Sequence, residues 1–244
     1  VKLDKIQPMK KNIPNYLTSL NLLSGIFAIY ATTTGSLSWA VIFIIIAAIL
    51  DFMDGALARL LKVSSELGKQ LDSLADLVSF GLAPGFIMFV LLKSSHPLPE
   101  IYIAKINLLA LIAFFLPLFS AWRLAKFNID PRQEGEFIGL PTPANALMVA
   151  SLALMNQHIL SPISWMVELT SNSIFLLCLT LLLCILQVAE LPLLSLKFKN
   201  LSWNGNKSRF ILLFISIILL IVFQVSAIPI ILLLYVLIST VNNK

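Results

Sequence analysis

The sequence predicts an all-α, polytopic transmembrane helix bundle, and three observations carry that prediction. Of the 244 residues, 59% are hydrophobic and 12% charged, against roughly 25% charged in soluble domains. The mean hydropathy of +0.94 implies more apolar surface than one water-solvated core of this length can hide, so lipid must solvate the remainder. Apolar runs also recur at about the 20 helical residues needed to cross a hydrocarbon core. A soluble enzyme and a secreted disulfide scaffold are thereby excluded. Cys178 and Cys184 sit six apart in one apolar run and project from opposite sides of a helix, so they cannot bridge each other. The formal charge of +5 is spread over the ends of apolar runs, which reads as membrane topology and not as a nucleic-acid face.

Taken in order, residues 1–13 hold Lys2, Lys5, Lys10 and Lys11 and read either as a short interfacial segment facing anionic headgroups or as a flexible tail. Residues 14–244 read as one transmembrane domain, with spans expected at 14–32, 37–60, 67–92, 102–127, 141–160 and 171–191. The first run contains Asn15, Thr18 and Asn21 and no small-residue cleavage site after it, so it is expected to stay attached. The terminal apolar stretch is too long for one span. Gln224, Ser226 and Pro229 interrupt it, which predicts helices at 209–225 and 228–241 and eight spans altogether. With a cytoplasmic N-terminus, this count leaves Lys93 and Lys105 as the outer cations among the 17 Lys and Arg. That asymmetry is what the positive-inside rule expects of a protein in the cytoplasmic (inner) membrane. No internal repeat is visible, which speaks against an inverted-repeat transporter.

Asp51, Asp54, Asp72 and Asp76 fall within 26 residues, in or at the ends of two apolar runs. Four unpaired aspartates at membrane depth would cost on the order of 10–14 kcal/mol, so something must compensate them. Asp51 and Asp54 lie about 21 and 26 Å along a helix starting at Leu37, while Asp72 and Asp76 lie about 8 and 14 Å into one starting at Leu67. Both pairs therefore approach from the cytoplasmic side at similar depth. Spacings of i,i+3 and i,i+4 put each pair along one helical face. Two facing pairs form an oxygen-rich pocket suited to two hard divalent cations, Mg²⁺ or Mn²⁺, whose four positive charges balance four carboxylates. Gly55 and Gly68 leave room for a ligand beside the backbone, and Arg59 stands one turn further out where it can meet a phosphate. Spacing alone leaves three readings open: metal-assisted catalysis, buried polar glue, or the pathway of a divalent-cation transporter.

The full string Asp51-x2-Asp54-Gly55-x2-Ala58-Arg59-x8-Gly68-x3-Asp72-x3-Asp76 resembles the signature of the CDP-alcohol phosphotransferase family at every fixed position. Three further stretches resemble its phosphatidylserine synthase branch: Ile13-Pro14-Asn15-Tyr16-Leu17-Thr18 with Asn21, Val78 to Pro84, and Arg123-Leu-Ala-Lys126-Phe-Asn128 followed by Phe137 to Pro143. Beyond Ala150 the likeness is hydropathic only. The resemblance implies transfer of a phosphatidyl group from CDP-diacylglycerol to L-serine, releasing CMP, by a homodimeric membrane enzyme with two divalent ions. It further implies that Asp51, Asp54, Asp72 and Asp76 bind the metals and that Asp76 is also the base that deprotonates the acceptor hydroxyl. Gly55, Ala58, Arg59 and Gly68 would hold the cytidine diphosphate.

Asn15 and Thr18 are candidate nucleotide contacts or merely a helix start. Arg123, Lys126 and Asn128 are candidates for the serine site, the bland alternative being that the two cations mark the inner leaflet. Pro141 and Pro143 read as the start of the fifth span, His96 and His158 as solvated, and Glu190 as a structural partner without an assigned role. Other alcohols of the same chemistry, such as glycerol 3-phosphate, an inositol phosphate or choline, stay open as acceptors.

Overall fold

The computed structural model describes residues 6–63, 65–97, 101–103, 106–130, 137–194 and 203–242. Of the 17 Lys and Arg counted for topology, Lys2, Lys5, Lys105, Arg132, Lys197, Lys199 and Lys244 lie outside them. The fold is helical throughout, and among the described residues the extended pairing is limited to four two-residue strands and one isolated bridge between His96 and Asn172. Helix α1 (Ile6–Thr33) runs without interruption through Pro14, so the helix begins before the boundary expected at residue 13. It packs along α2 (Leu37–Leu61) through small side chains: Ala28 and Ala31 on one, Ala40 and Ala47 on the other, all buried. Small residues let helix backbones approach in a membrane, where packing replaces the hydrophobic effect between helices. The opposite face of α2 exposes Trp39, Ile42, Ile45, Ile49 and Phe52, as a lipid-facing surface requires.

The third apolar run is one continuous helical stretch, Glu66–Ser94, of 29 residues. It divides into α3 (Glu66–Asp76), a π-helical turn (Leu77–Leu82) and α4 (Ala83–Ser94). The π turn was not expected from the sequence. It widens the helix directly after Asp76 and lets Ser79 donate to the Asn21 carbonyl of α1 at 2.9 Å. A Cβ on Gly25 would lie 2.4 Å from Ser79 Oγ and 2.7 Å from Ser79 Cα, so α1 touches the π turn only because Gly25 has no side chain. Helix α4 is the centre of the bundle, with Ile87, Met88, Leu91 and Leu92 fully enclosed.

The fourth run departs from expectation over its first third. A small antiparallel ladder pairs β1 (Tyr102–Ile103) with β2 (Ile106–Asn107), followed by a 3-10 turn at Ala110–Phe114 and then α5 (Phe115–Ile129). The Asn107 side chain accepts from Leu109 N at 3.0 Å and starts that turn, and β-branched Ile103 and Ile106 favour extended backbone. A second pair joins β3 (Phe137–Ile138) to β4 (Pro192–Leu193). Gly139, at φ +76, leads from β3 into α6 (Thr142–Asn156). Pro141 stands before that helix and Pro143 in its first turn, as expected.

At 15 and 16 residues, α6 and α8 (Ser173–Val188) are shorter than the spans drawn for them. Helix α6 ends at Asn156, where His158 and Leu160 take positive φ and Pro162 follows. The short α7 (Ser164–Leu169), also unexpected, fills the gap before Asn172 caps α8 by accepting from Phe175 N at 3.0 Å. The terminal stretch consists of α9 (Trp203–Phe223), a 3-10 turn at Gln224–Ser226 with Gln224 at φ +49, and α10 (Ala227–Asn242). Helix α10 packs back on α9, so the break predicted at Gln224 and Ser226 is a turn between two helices. Four stretches are long and apolar enough to cross a membrane: Leu37–Leu61, Glu66–Ser94, Ala110–Ile129 and Asn206–Thr240. This is a polytopic, all-α membrane protein.

Candidate active site

The four aspartates meet because a tight connection joins α2 to α3. Lys62, in the left-handed region, caps α2 with its N–H directed at Arg59 O, and Val63 N closes on Ala58 O at 3.0 Å. Three residues later Ser65, extended at φ −147, caps α3 by accepting from Gly68 N at 3.0 Å, with Glu66 favourably placed in the first turn. The two helices thus leave the connection at one level, and the acids converge from both. Oxygens of Asp51, Asp72 and Asp76 lie within 4.8 Å of one another.

Asp54 lies just outside that group of three. Three residues along a helix rotate a side chain by about 60° from the row, and this aims Asp54 at α1. There its Oδ2 lies 2.6 Å from the Thr18 hydroxyl, whose single proton can otherwise go to Pro14 O at 3.0 Å. The expected symmetric meeting of two pairs is therefore three acids plus one. Asp76 also accepts from Asn21 Nδ2 at 3.4 Å, a contact for which the sequence offered Asn21 only as part of a motif. Among the described residues no Lys or Arg lies within ion-pair distance of any of the four acids. Three oxygen ligands brought together without a cation partner are what a hard divalent ion requires, so the residues present fit the expected metal.

Beside the acids opens a cavity of about 340 Å³. Asn15 and Thr18 of α1, Asp54, Gly55 and Ala58 of α2, and Gly68 and Asp72 of α3 form its walls, joined by Ser65 and Lys69. Every residue assigned to the nucleotide lines it except Arg59. Arg59 is exposed, and its Nη1 hangs 3.7 Å from where a Cβ on Gly55 would stand. Gly68 matters sterically, since a Cβ there would come within 2.9 Å of Asn15 Oδ1. Lys69 was missed because it occupies a variable position of the string; its ammonium donates to Asn128 O at 2.9 Å and ties the cavity wall to α5.

The three acceptor candidates separate. Arg123 is 7% exposed, donates from Nη1 to Thr142 Oγ1 at 3.4 Å and lies over the Phe127 ring at 5.5 Å. Lys126 points elsewhere, into an ion pair with Glu190 at 3.0 Å, which gives Glu190 the structural partnership expected of it. Asn128 donates from Nδ2 to Ser73 Oγ at 2.7 Å and so braces α3.

Geometry and ancestry coincide here. The family model described as CDP-alcohol phosphatidyltransferase matches residues 11–186. The chain belongs to this family. Relatives named CDP-diacylglycerol–serine O-phosphatidyltransferase include one from Helicobacter pylori, 30% identical over 209 residues, which span 84% of this chain and 80% of the relative. Those from Bacillus subtilis and Methanocaldococcus jannaschii are 35% identical over 148 residues and 33% over 152, covering 61% and 62% of this chain and 78% and 65% of theirs. The match extends past Ala150, where the sequence had offered only hydropathy; a lipid-facing helix conserves apolar character without a fixed motif. The family assignment replaces the cation-pathway reading of the carboxylates with phosphatidyl transfer.

Proposed function

We propose that this protein transfers the phosphatidyl group of CDP-diacylglycerol to L-serine, giving phosphatidylserine and CMP. The observation that carries the reading is the continuity of a nucleotide-sized cavity with an acid triad: the walls at Gly55, Ala58 and Gly68 run directly into Asp72, which shares the triad with Asp51 and Asp76. Its 340 Å³ falls within the roughly 300–1,000 Å³ typical of small-ligand sites. The names of the relatives support serine as the acceptor.

In this reading Asn15, Thr18, Gly55, Ala58 and Gly68 hold the cytidine diphosphate, with Arg59 at the rim meeting phosphate charge. Asp51, Asp54, Asp72 and Asp76 hold two divalent cations, Mg²⁺ or Mn²⁺, which when bound supply positive charge to phosphate oxygens that become more negative during transfer. Asp76 takes the proton of the serine hydroxyl. The hydroxyl oxygen forms a bond to the phosphatidyl phosphorus while the bond from that phosphorus to the CMP phosphate oxygen breaks. Asn21 fixes the Asp76 carboxylate for that task, and Thr18 orients Asp54. Arg123 meets the acceptor carboxylate, whereas Lys126 and Asn128 support the wall through Glu190 and Ser73.

The same reading places the protein in the cytoplasmic membrane as a homodimer, with residues 14–244 acting as one catalytic domain and the site facing the cytoplasm, as the cation asymmetry of the sequence favours. Incubation of the purified protein with CDP-diacylglycerol, labelled serine and Mg²⁺ or Mn²⁺ tests it. CMP and labelled lipid are the expected products. Lipid formed from glycerol 3-phosphate and not from serine overturns the acceptor assignment.

A further inference from the structure

Five buried polar side-chain atoms have no hydrogen-bond partner among the described residues. They are Arg123 Nε, Gln187 Nε2, Asn21 Oδ1 and both amide atoms of Asn145. Asn21, Asn145 and Gln187 are at most 1% exposed. These residues come from α1, α5, α6 and α8, and specific contacts draw them into one layer. Asn21 donates to Asp76, and the π turn after Asp76 meets α5 where a Cβ on Gly81 would lie 3.0 Å from Ser120 Cβ. Arg123 reaches Thr142, and Asn145 stands one turn further along the same face of α6. Ser120, one turn before Arg123 on α5, donates to Gln187 Oε1 at 2.7 Å. The end of α8 is fixed to the entry of α6 by Leu140 N donating to Leu186 O at 2.8 Å, and a Cβ on Gly139 would lie 2.5 Å from Gln187 O.

A native interior rarely leaves such atoms unmatched, because each forfeits its hydrogen bonds to water and receives nothing in return. The unmatched set has a chemical signature. Arg123 Nε, Gln187 Nε2 and Asn145 Nδ2 are donors; Asn145 Oδ1 and Asn21 Oδ1 are acceptors. A carboxylate offers lone pairs to several donors and an ammonium offers protons to several acceptors. A phosphate-bearing alcohol would meet the donors with its phosphate but bring only neutral hydroxyls, and no ammonium, to the acceptors.

We propose that Asn145 and Gln187, together with Arg123 and Asn21, form the acceptor subsite, which recognises the zwitterionic head of an α-amino acid. Arg123, Gln187 and Asn145 Nδ2 take the carboxylate, and the oxygens of Asn145 and Asn21 take the ammonium. The β-hydroxyl then projects to Asp76. This inference rests on transfer to serine and adds the residues that select the amino acid.

Steady-state kinetics of CMP release test it, with L-serine, 3-hydroxypropionate (no ammonium) and ethanolamine (no carboxylate) as acceptors or competitors. Asn145→Leu, similar in size, is expected to raise KM for serine at least tenfold, leave KM for CDP-diacylglycerol within twofold, and abolish the preference for serine over 3-hydroxypropionate. Gln187→Met is expected to raise KM for serine and leave ethanolamine unaffected. Should Asn145→Leu not fold, Asn145→Asp serves instead: it keeps the shape, repels the carboxylate and shifts preference from serine toward ethanolamine. Serine KM within twofold of wild type, an equal effect on serine and 3-hydroxypropionate, or an unshifted preference in Asn145→Asp would mean that the layer is only a hydrated core, and would overturn the proposal. A wild-type protein that releases CMP with another alcohol and never with serine defeats the transfer reading as well. Serine turnover indifferent to Asn145 defeats the subsite alone.

Discussion

Two clefts in the same bundle differ in what lines them. The cleft among α1, α2 and α3, of about 340 Å³, carries Asn15, Thr18, Asp54, Lys69 and Asp72. The one among α6, α9 and α10, of about 600 Å³, is walled by Leu212, Leu213, Ile217, Leu220, Ile231 and Leu232, with Arg209, Ser216 and Tyr235 as its polar members. An apolar wall costs nothing in lipid, whereas each charged side chain at depth must be compensated. The concentration of such side chains in the smaller cleft therefore marks where ligands and metals supply the compensation. The larger cleft carries Arg209 as its single charged side chain, where the smaller one carries Asp54, Lys69 and Asp72.

The sharpest way to break this contrast is to remove charge from the first cleft. Chelation of divalent cations should abolish CMP release and readdition of Mg²⁺ or Mn²⁺ should restore it; activity in metal-free protein would sink the metal role of the triad. Asp76→Asn is expected to lower turnover by about 10²–10⁴-fold, the range of general base catalysis, with melting temperature little changed because the amide keeps the shape. Full turnover in that variant would remove Asp76 from the base role.

Backbone packing behind the triad comes next. Gly25→Ala forces a methyl into Ser79, an overpacking cost of roughly 1–3 kcal/mol or more. It should also lower turnover by displacing the π turn that follows Asp76. Thermal denaturation and CMP release, measured together, should both fall.

On the side of the second cleft, Ser239→Ala should cost stability and spare chemistry. Ser239 Oγ accepts from Leu194 N at 3.0 Å and donates to Tyr235 O at 2.6 Å, fully buried. Its loss leaves an amide unpaired, at about 1–3 kcal/mol. A melting temperature equal to wild type would show that the Ser239 bond to Leu194 contributes nothing.

The smallest effect is expected for Lys126→Met. Its pair with Glu190 is partly exposed, at 35% and 63% of the two side chains, and such pairs are worth about 0–1 kcal/mol. Serine KM should stay within threefold. A larger rise would restore Lys126 to the acceptor site.

Much of the first cleft was legible in the chain because its logic is local. Asp51 and Asp54, Gly68, Asp72 and Asp76 fall on helical faces by spacing alone, and the break at Gln224 and Ser226 follows from polar residues interrupting an apolar run. The short β1–β2 ladder and the π turn were not legible. Leu77 to Leu82 is as apolar as the helices around it, and Tyr102 to Asn107 carries only Lys105 and Asn107 as breaks at the edge of an apolar run; hydropathy does not distinguish backbone states within such runs. Arg123 and Lys126 could not be told apart either, since both close the same helix and the partners that separate them, Thr142 and Glu190, lie 19 and 64 residues away.

By itself the sequence determined the solvent, the helices and the acids, because lipid penalises every uncompensated polar group and a helix repeats at a fixed angle. Tertiary structure decided which side chains meet: that Thr18 takes Asp54, that three acids and not four form the tight cluster, and that Asn21, Arg123, Asn145 and Gln187 are buried with polar atoms unmatched. Those choices depend on how closely one backbone approaches another, and at Gly25 and Gly68 the approach is set by a missing methyl group.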